Sequence, residues 1–194
     1  MSLNAGVIAV QGDVSEHADA IRRAGTAHGE SVSVTEIRQS GIVPDCDLLC
    51  MPGGESTAIS RLLQSEGIAP EIQAHVEAGK PILATCAGLI VAAADAADDR
   101  VENLGLLDVT VERNAFGRQK DSFEAPLDVT GLDDPFPAVF IRAPLIGEVG
   151  SANVLAEWDG RPVAVQDGPV VGTSFHPELT PDSRIHGLAF FGDE

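Results

Sequence analysis

No apolar run in this chain approaches the roughly 18 residues that a membrane helix requires. The N-terminus has no basic segment leading into an apolar stretch, so the sequence predicts no signal peptide and a place in the cytoplasm. Cysteine is scarce and odd in number, three in 194 residues, which argues against a disulfide framework. Lysine is scarcer still: Lys80 and Lys120 are the only two, and the other ten cations are arginines. Against 12 Lys plus Arg stand 30 Asp plus Glu, a net charge of -18. A surface this negative repels phosphate backbones and excludes nucleic acid as a partner. Acidity with little lysine fits a cytoplasm of high salt, where screening shortens the Debye length to about 3 Å at 1 M. An acidic protein without salt adaptation is the plainer alternative. There are no repeats and no low-complexity tract. Hydrophobic residues make up 44%, a globular composition that predicts one domain over residues 1–194.

The apolar pattern alternates with helical spacing in the first half. Gly6–Val10, Val32–Ile37, Leu48–Met51 and Pro81–Thr85 read as strands. Between and after them, Ser15–Ala27, Ser56–Leu63, Glu71–Ala78 and an Ala-rich segment after Cys86 read as helices. Asp13 or Ser15 is a candidate cap for the first helix, and Gly25 or Gly29 its stop. Ala92–Asp99 reads as a solvated helix end. Strand followed by helix, repeated, implies parallel strands with helices on both faces. The second half carries short strand candidates at Val109–Glu112, Ser122–Val129, Val139–Ile141, Val154–Glu157, Val163–Gln166 and Val170–Thr173. Asp159-Gly160 and Asp167-Gly168 are hairpin signals. They predict an antiparallel addition to the parallel sheet, closed by a helix over Ser183–Phe191.

Three segments could carry chemistry. Cys86 follows a buried strand and opens a helix, with Ala87 and Gly88 beside it. Small neighbours permit a sharp strand-to-helix turn that lifts a nucleophile to the sheet edge. The helix N-terminus favours a thiolate and offers N–H groups to an oxyanion. A buried, inert cysteine is the competing reading. His176-Pro177-Glu178 follows the apolar run Val170–Phe175. Histidine can shuttle the thiol proton, and a carboxylate two residues on can orient the ring. Pro52-Gly53-Gly54-Glu55-Ser56 follows a strand and opens a helix, and its glycines let backbone approach a ligand. It lacks the lysine of a P-loop and equally fits an ordinary turn. All three fall at strand carboxyl ends, where open α/β sheets bind ligands. Cys46 and Cys50 have no partner spacing for a metal, and His17, His28, His75 and His186 sit on or beside helical patterns as solvated or packed residues.

These segments resemble a known family. Val10-Gln11-Gly12-Asp13 with Ser15-Glu16-His17, Pro52 to Thr57, Thr85 to Ile90, Val111 to Gln119, Asp121 to Glu124, Phe140 to Pro144 and Ser174 to Thr180 occur in order along nearly the whole chain. The Cys86 and His176/Glu178 segments resemble class I (triad) glutamine amidotransferases in general. The Glu112–Gln119 and Phe140–Pro144 segments are similar, more narrowly, to the glutaminase subunit family of the ribose-5-phosphate-dependent pyridoxal 5′-phosphate synthase, the PdxT family. The resemblance implies a flavodoxin-like three-layer α/β/α sandwich that hydrolyses L-glutamine to glutamate and ammonia. It implies Cys86 as nucleophile, His176 as general base and acid, and Glu178 as its orienting partner. Gly54, Glu55, Ser56, Arg113, Ile141 and Arg142 match glutamine-binding positions. The resemblance also implies no metal or organic cofactor, and a hetero-oligomer in which ammonia passes to a PdxS-type synthase subunit. Val14 stands where the family has phenylalanine, and Gly187-Leu188-Ala189-Phe190-Phe191 where it has a longer, tyrosine-containing helix. A triad amidotransferase serving another synthase, or a regulatory subunit without turnover, are the alternatives; the segment from Arg113 to Gln119 and the intact triad count against them.

Overall fold

The computed structural model describes residues 2–10, 12–113 and 122–192. Gln11 and the segment from Asn114 to Asp121, part of the family-like pattern, lie outside the described residues. Strand β1 (Ser2–Ile8) leads to helix α1 (Val14–Ala27), and β2 (Ser31–Ile37) to β3 (Leu48–Met51). Helices α2 (Ser56–Ser65) and α3 (Ala69–Glu77) follow, then β4 (Ile82–Thr85) and the short α4 (Ala87–Ala92). The remaining elements are β5 (Ala93–Asp95), β6 (Leu107–Glu112), β7 (Ser122–Leu127), β8 (Phe136–Ile141), β9 (Leu145–Val149), β10 (Asn153–Trp158), β11 (Arg161–Asp167), β12 (Val170–Thr173) and α5 (Arg184–Phe191).

Seven strands form the main sheet in the order β10-β11-β12-β4-β3-β1-β2. The five from β12 to β2 are parallel, and β10 and β11 join antiparallel. The parallel core therefore has the doubly wound flavodoxin-like order, with its crevice at strand carboxyl ends. Alternation along the strands feeds two cores. Leu49, Met51, Ile82 and Ala84 point to the side covered by Ile59, Leu63 and Ile72 of α2 and α3. Leu48, Cys50 and Leu83 point to the side covered by Ile21 of α1 and Ile185 of α5. This is the expected three-layer sandwich.

The structure corrects several boundaries. The first strand runs over Ser2–Ile8 rather than Gly6–Val10, because Ser2, Leu3 and Asn4 pair with Ser31, Val32 and Ser33 at the outer strand. Asp13 occupies the cap position of α1 but makes no side-chain capping bond. Ala92–Asp99 is not a solvated helix end. Helix α4 stops at Ala92, β5 pairs with β6, and Ala93 and Ala96 are buried. The antiparallel addition is only partly in the main sheet: β6 pairs with β5 on one side and β9 on the other in a three-stranded sheet, and β7 and β8 form a separate hairpin. Strand β9 escaped the apolar pattern because Gly147 interrupts it; a Cβ there would stand 2.8 Å from Thr110 Oγ1 in the paired strand.

Candidate active site

Four of the parallel strands end beside one another. Asp13 lies beyond β1, Gly53 beyond β3, Cys86 beyond β4 and His176 beyond β12. At Cys86 the chain turns from strand to helix within one residue, with φ 51° and ψ -110°. Such a conformation costs a non-glycine residue about 1–3 kcal/mol and persists only where packing enforces it. The packing is visible at Gly88: a Cβ there would stand 2.1 Å from the Met51 carbonyl oxygen. Only glycine lets α4 approach the end of β3 this closely. The Cys86 N–H donates to Thr173 O at 2.9 Å, which ties the turn to β12.

His176 is held by its own N–H, which donates to Val139 O at 2.8 Å. Its ring Nδ1 lies 2.6 Å from Glu178 Oε1, and the ring shares the cleft wall with Cys86. Burial acts to lower the His176 pKa. The hydrogen bonds and charges of Cys86 and Glu178 outweigh it and lift it to about 10, so the ring is held as imidazolium. The Glu178 side chain is fully buried behind the ring, fixed by the short turn Pro177–Leu179. Asp13 Oδ2, free of any capping role, stands 3.8 Å from His176 Nδ1.

Cys86 and His176 open on a cleft of about 390 Å³ lined also by Gly54, Glu55, Ser56, Arg113, Ile141 and Arg142. Every residue expected to bind substrate is therefore at one cleft, together with Ala87 and Ile90. Arg142, like Cys86, is a non-glycine residue of the cleft with positive φ, 43°. The Ser56 hydroxyl is buried without a hydrogen-bond partner among the described residues. Glu55 caps α2 by accepting from Thr57 N at 3.2 Å and Ala58 N at 2.8 Å. Arg113 pairs with Glu55 at 3.0 Å and with Asp98 at 2.5 Å, forming one wall.

Behind the cleft the structure places residues that the sequence pattern left as packed. His17 is completely buried; its Nε2 faces Glu178 Oε2 at 3.3 Å and Thr85 Oγ1 at 3.2 Å. Its Nδ1 lies 2.9 Å from His186 Nε2 and 3.2 Å from Cys50 Sγ. A second Cys–His–Glu set, Cys50–His17–Glu178, thus shares the carboxylate of the first. It is closed to solvent, and burial with the Glu178 charge pushes the Cys50 thiol well up, so the sulfur stays protonated. His17 had one legible signal: it falls on the stripe with Ile21 and Ala24 that α1 buries. Among the described residues, potential metal ligands converge as His17, Cys50 and His186, and as Asp13, His176 and Glu178. Direct contacts of 2.6 to 3.2 Å already pair ligand atoms within both groups.

A flavodoxin-like sheet with a cysteine elbow, a His–Glu pair and a glycine-rich turn at one carboxyl edge defines a class I glutamine amidotransferase. The comparisons with known proteins agree. Residues 7–191 match the model of the SNO glutamine amidotransferase family, and the chain belongs to that family. It is 75% identical over 193 residues to the pyridoxal 5′-phosphate synthase subunit PdxT of Haloquadratum walsbyi, covering 99% of this chain and 94% of the relative. It is 74% identical to the subunit of the same name from Halobacterium salinarum, covering 98% and 95%. A crystal structure of a glutamine amidotransferase, 42% identical, superposes with a TM-score of 0.84 over 94% of each chain. PurLQS from Thermotoga maritima, 20% identical with a TM-score of 0.62, covers 98% of this chain and 96% of its own and shares the fold. The chain is a glutaminase, and halophilic hosts are among those of its most similar relatives, in keeping with its acidic, lysine-poor composition.

Proposed function

We propose that this cleft hydrolyses L-glutamine through a covalent thioester on Cys86, with residues 1–194 acting as one glutaminase domain. The chain's function is that of the glutaminase subunit of pyridoxal 5′-phosphate synthase, supplying ammonia to a synthase subunit. The observation that carries the residue roles is the convergence of Cys86 and His176 on one cleft, both around Gly53, with Glu178 Oε1 behind the ring at 2.6 Å. His176 takes the Cys86 thiol proton, and the sulfur attacks the carboxamide carbon and pushes the C=O electrons onto oxygen. His176 delivers its proton to the departing nitrogen, and ammonia leaves. Water then attacks the thioester while His176 takes its proton, and the C–S bond breaks to release glutamate. Backbone N–H groups of Gly54 and Ala87, both lining the cleft, are the proposed donors to the oxyanion. The unpartnered Ser56 hydroxyl and the Arg113–Glu55 pair are suited to the amino-acid end of glutamine. The residues need no metal or organic cofactor for these steps.

The physiological assembly is proposed to be a cytoplasmic hetero-oligomer with a PdxS-type subunit. Hydrolysis in the free chain would release ammonia to solvent, so turnover per Cys86 should rise strongly on adding the synthase at saturating glutamine and molar salt. A glutamine-like electrophile should label Cys86 in that complex, read by mass spectrometry of the peptides. Labelling confined to Cys46 or Cys50, or equal turnover with and without the synthase, would reject the corresponding part of the proposal.

A further inference from the structure

Glu178 is held to the triad by one oxygen only. Oε1 meets His176 Nδ1 at 2.6 Å. Oε2 is fully buried and closes no hydrogen bond among the described residues; the polar group facing it is Nε2 of His17, at 3.3 Å. A carboxylate fixed through one oxygen can swing about its terminal bond, and Glu and Gln side chains have a broad torsion there. We infer that His17 is a positioning residue of the triad: its Nε2–H engages Glu178 Oε2, so that Oε1 is presented to His176 in one orientation throughout the reaction. The inference rests on the reading of Cys86, His176 and Glu178 as the catalytic triad.

The surroundings fix which nitrogen of His17 carries the proton. A carboxylate oxygen only accepts, so Nε2 facing Oε2 must be the N–H. Nδ1 is then the acceptor, and the groups opposite it are both donors. His186 Nε2 stands at 2.9 Å and the protonated Cys50 sulfur at 3.2 Å. His186 Nδ1 is buried and has no partner among the described residues, consistent with the bare nitrogen of a ring that donates through Nε2. Thr85 Oγ1, 3.2 Å from His17 Nε2, shares the donor in the resting site. Catalytic hydrogen bonds that are long at rest commonly tighten when substrate is bound. The charge change falls on His176, which alternates between imidazolium and imidazole while Glu178 stays buried beside it. A second donor on the carboxylate keeps its geometry the same in both states. The titratable groups facing His17 are Glu178, His176, His186 and Cys50, and Arg23 acts on His186.

The test is made in the complex with the synthase subunit, comparing His17→Leu, His17→Gln and His186→Leu with the parent. Active sites are counted by labelling Cys86 with a glutamine-like electrophile, so that every rate is per competent site. His17→Leu should lower kcat about ten- to hundred-fold, the scale of one hydrogen bond to a charged group, with KM changed less than about two-fold. The acidic limb of its rate profile should move to higher pH, because a buried carboxylate deprived of a donor takes up a proton more readily. His17→Gln, whose amide N–H reaches a similar position, should recover most of kcat. His186→Leu, which frees the tautomer of His17 without removing it, should show a smaller loss of kcat. Parent kcat and pH profile in folded His17→Leu overturn the inference, as does a loss that His17→Gln does not rescue. Parent enzyme whose Cys86 is not labelled would instead overturn the triad itself.

Discussion

Gly53 packs directly against the His176 ring. A Cβ built on Gly53 would stand 2.9 Å from His176 Cε1 and 3.5 Å from Cys86 Cβ. The second contact is ordinary and the first is not, so a methyl group at this position acts mainly on the histidine. Gly53 also lies outside the positive-φ set, so alanine meets no backbone strain there. Gly53→Ala should therefore fold with a melting temperature close to the parent's while glutamine turnover falls at least about ten-fold, since small misplacements of a catalytic group carry large rate costs. Parent turnover in the folded variant would show that the ring has room to yield.

At Cys86 the proposed nucleophile coincides with backbone strain, and two substitutions separate them. Cys86→Ala keeps the strained φ of 51° and removes the sulfur; glutamine hydrolysis should vanish with stability little changed. Cys86→Gly should be equally inactive yet more stable, by about 1 kcal/mol, because glycine adopts positive φ freely at some cost in unfolded-state entropy. Paired thermal melts and a glutaminase assay decide this. A glycine variant less stable than the alanine one would mean that the turn is not strained.

Stability should pass through a maximum near pH 6.5 as far as three buried histidines decide it. Burial drives His17 down to about 3, against the opposing charge of Glu178, and burial also takes His186 to about 3. Below pH 6.5 the unfolded chain binds protons that these rings refuse, so stability falls as pH drops from 6.5 toward 3. The slope is up to about 1.4 kcal/mol per pH unit for each ring. His176 works in the opposite sense. Its pKa is raised to about 10, so its contribution is full below pH 6.5 and is lost as pH rises from 6.5 to 10. Denaturation across this range checks both limbs. His186→Gln should flatten the acid limb, and His176→Gln the alkaline one.

The net charge of -18 predicts a requirement for salt. Self-repulsion among carboxylates opposes compaction at low ionic strength and is screened within about 3 Å at 1 M. The melting temperature should rise substantially between low salt and molar KCl. An unchanged value would mean that the acidic surface is electrostatically inert.

The parallel half of the fold was legible because its signals are local. Leu48–Met51 and Val170–Thr173 are short runs, the first wholly apolar and the second opened by two valines, and the structure gives them those same limits. Cys86, His176 and Pro52–Ser56 announced themselves as polar or glycine-rich residues set at the ends of such runs. The β5–β6–β9 sheet was not legible. A three-residue strand such as Ala93–Asp95 has no period of its own and exists only because β6 lies beside it. Likewise Gly147 reads as a break in the pattern, although its missing side chain is what admits Thr110.

Composition alone determined that the surface is acidic, and residue order alone placed Cys86, His176 and Glu178 at strand ends. Those are properties of single residues and their near neighbours, which the chain carries whether folded or not. Only the tertiary structure decided that Glu178 has two faces, one toward His176 and one toward His17. The contact between His17 and Glu178 joins residues 161 positions apart through the packing of α1 against the turn after β12. The positive φ of Cys86 was likewise decided by the approach of Gly88 to Met51, a clash avoided in space that no local pattern records.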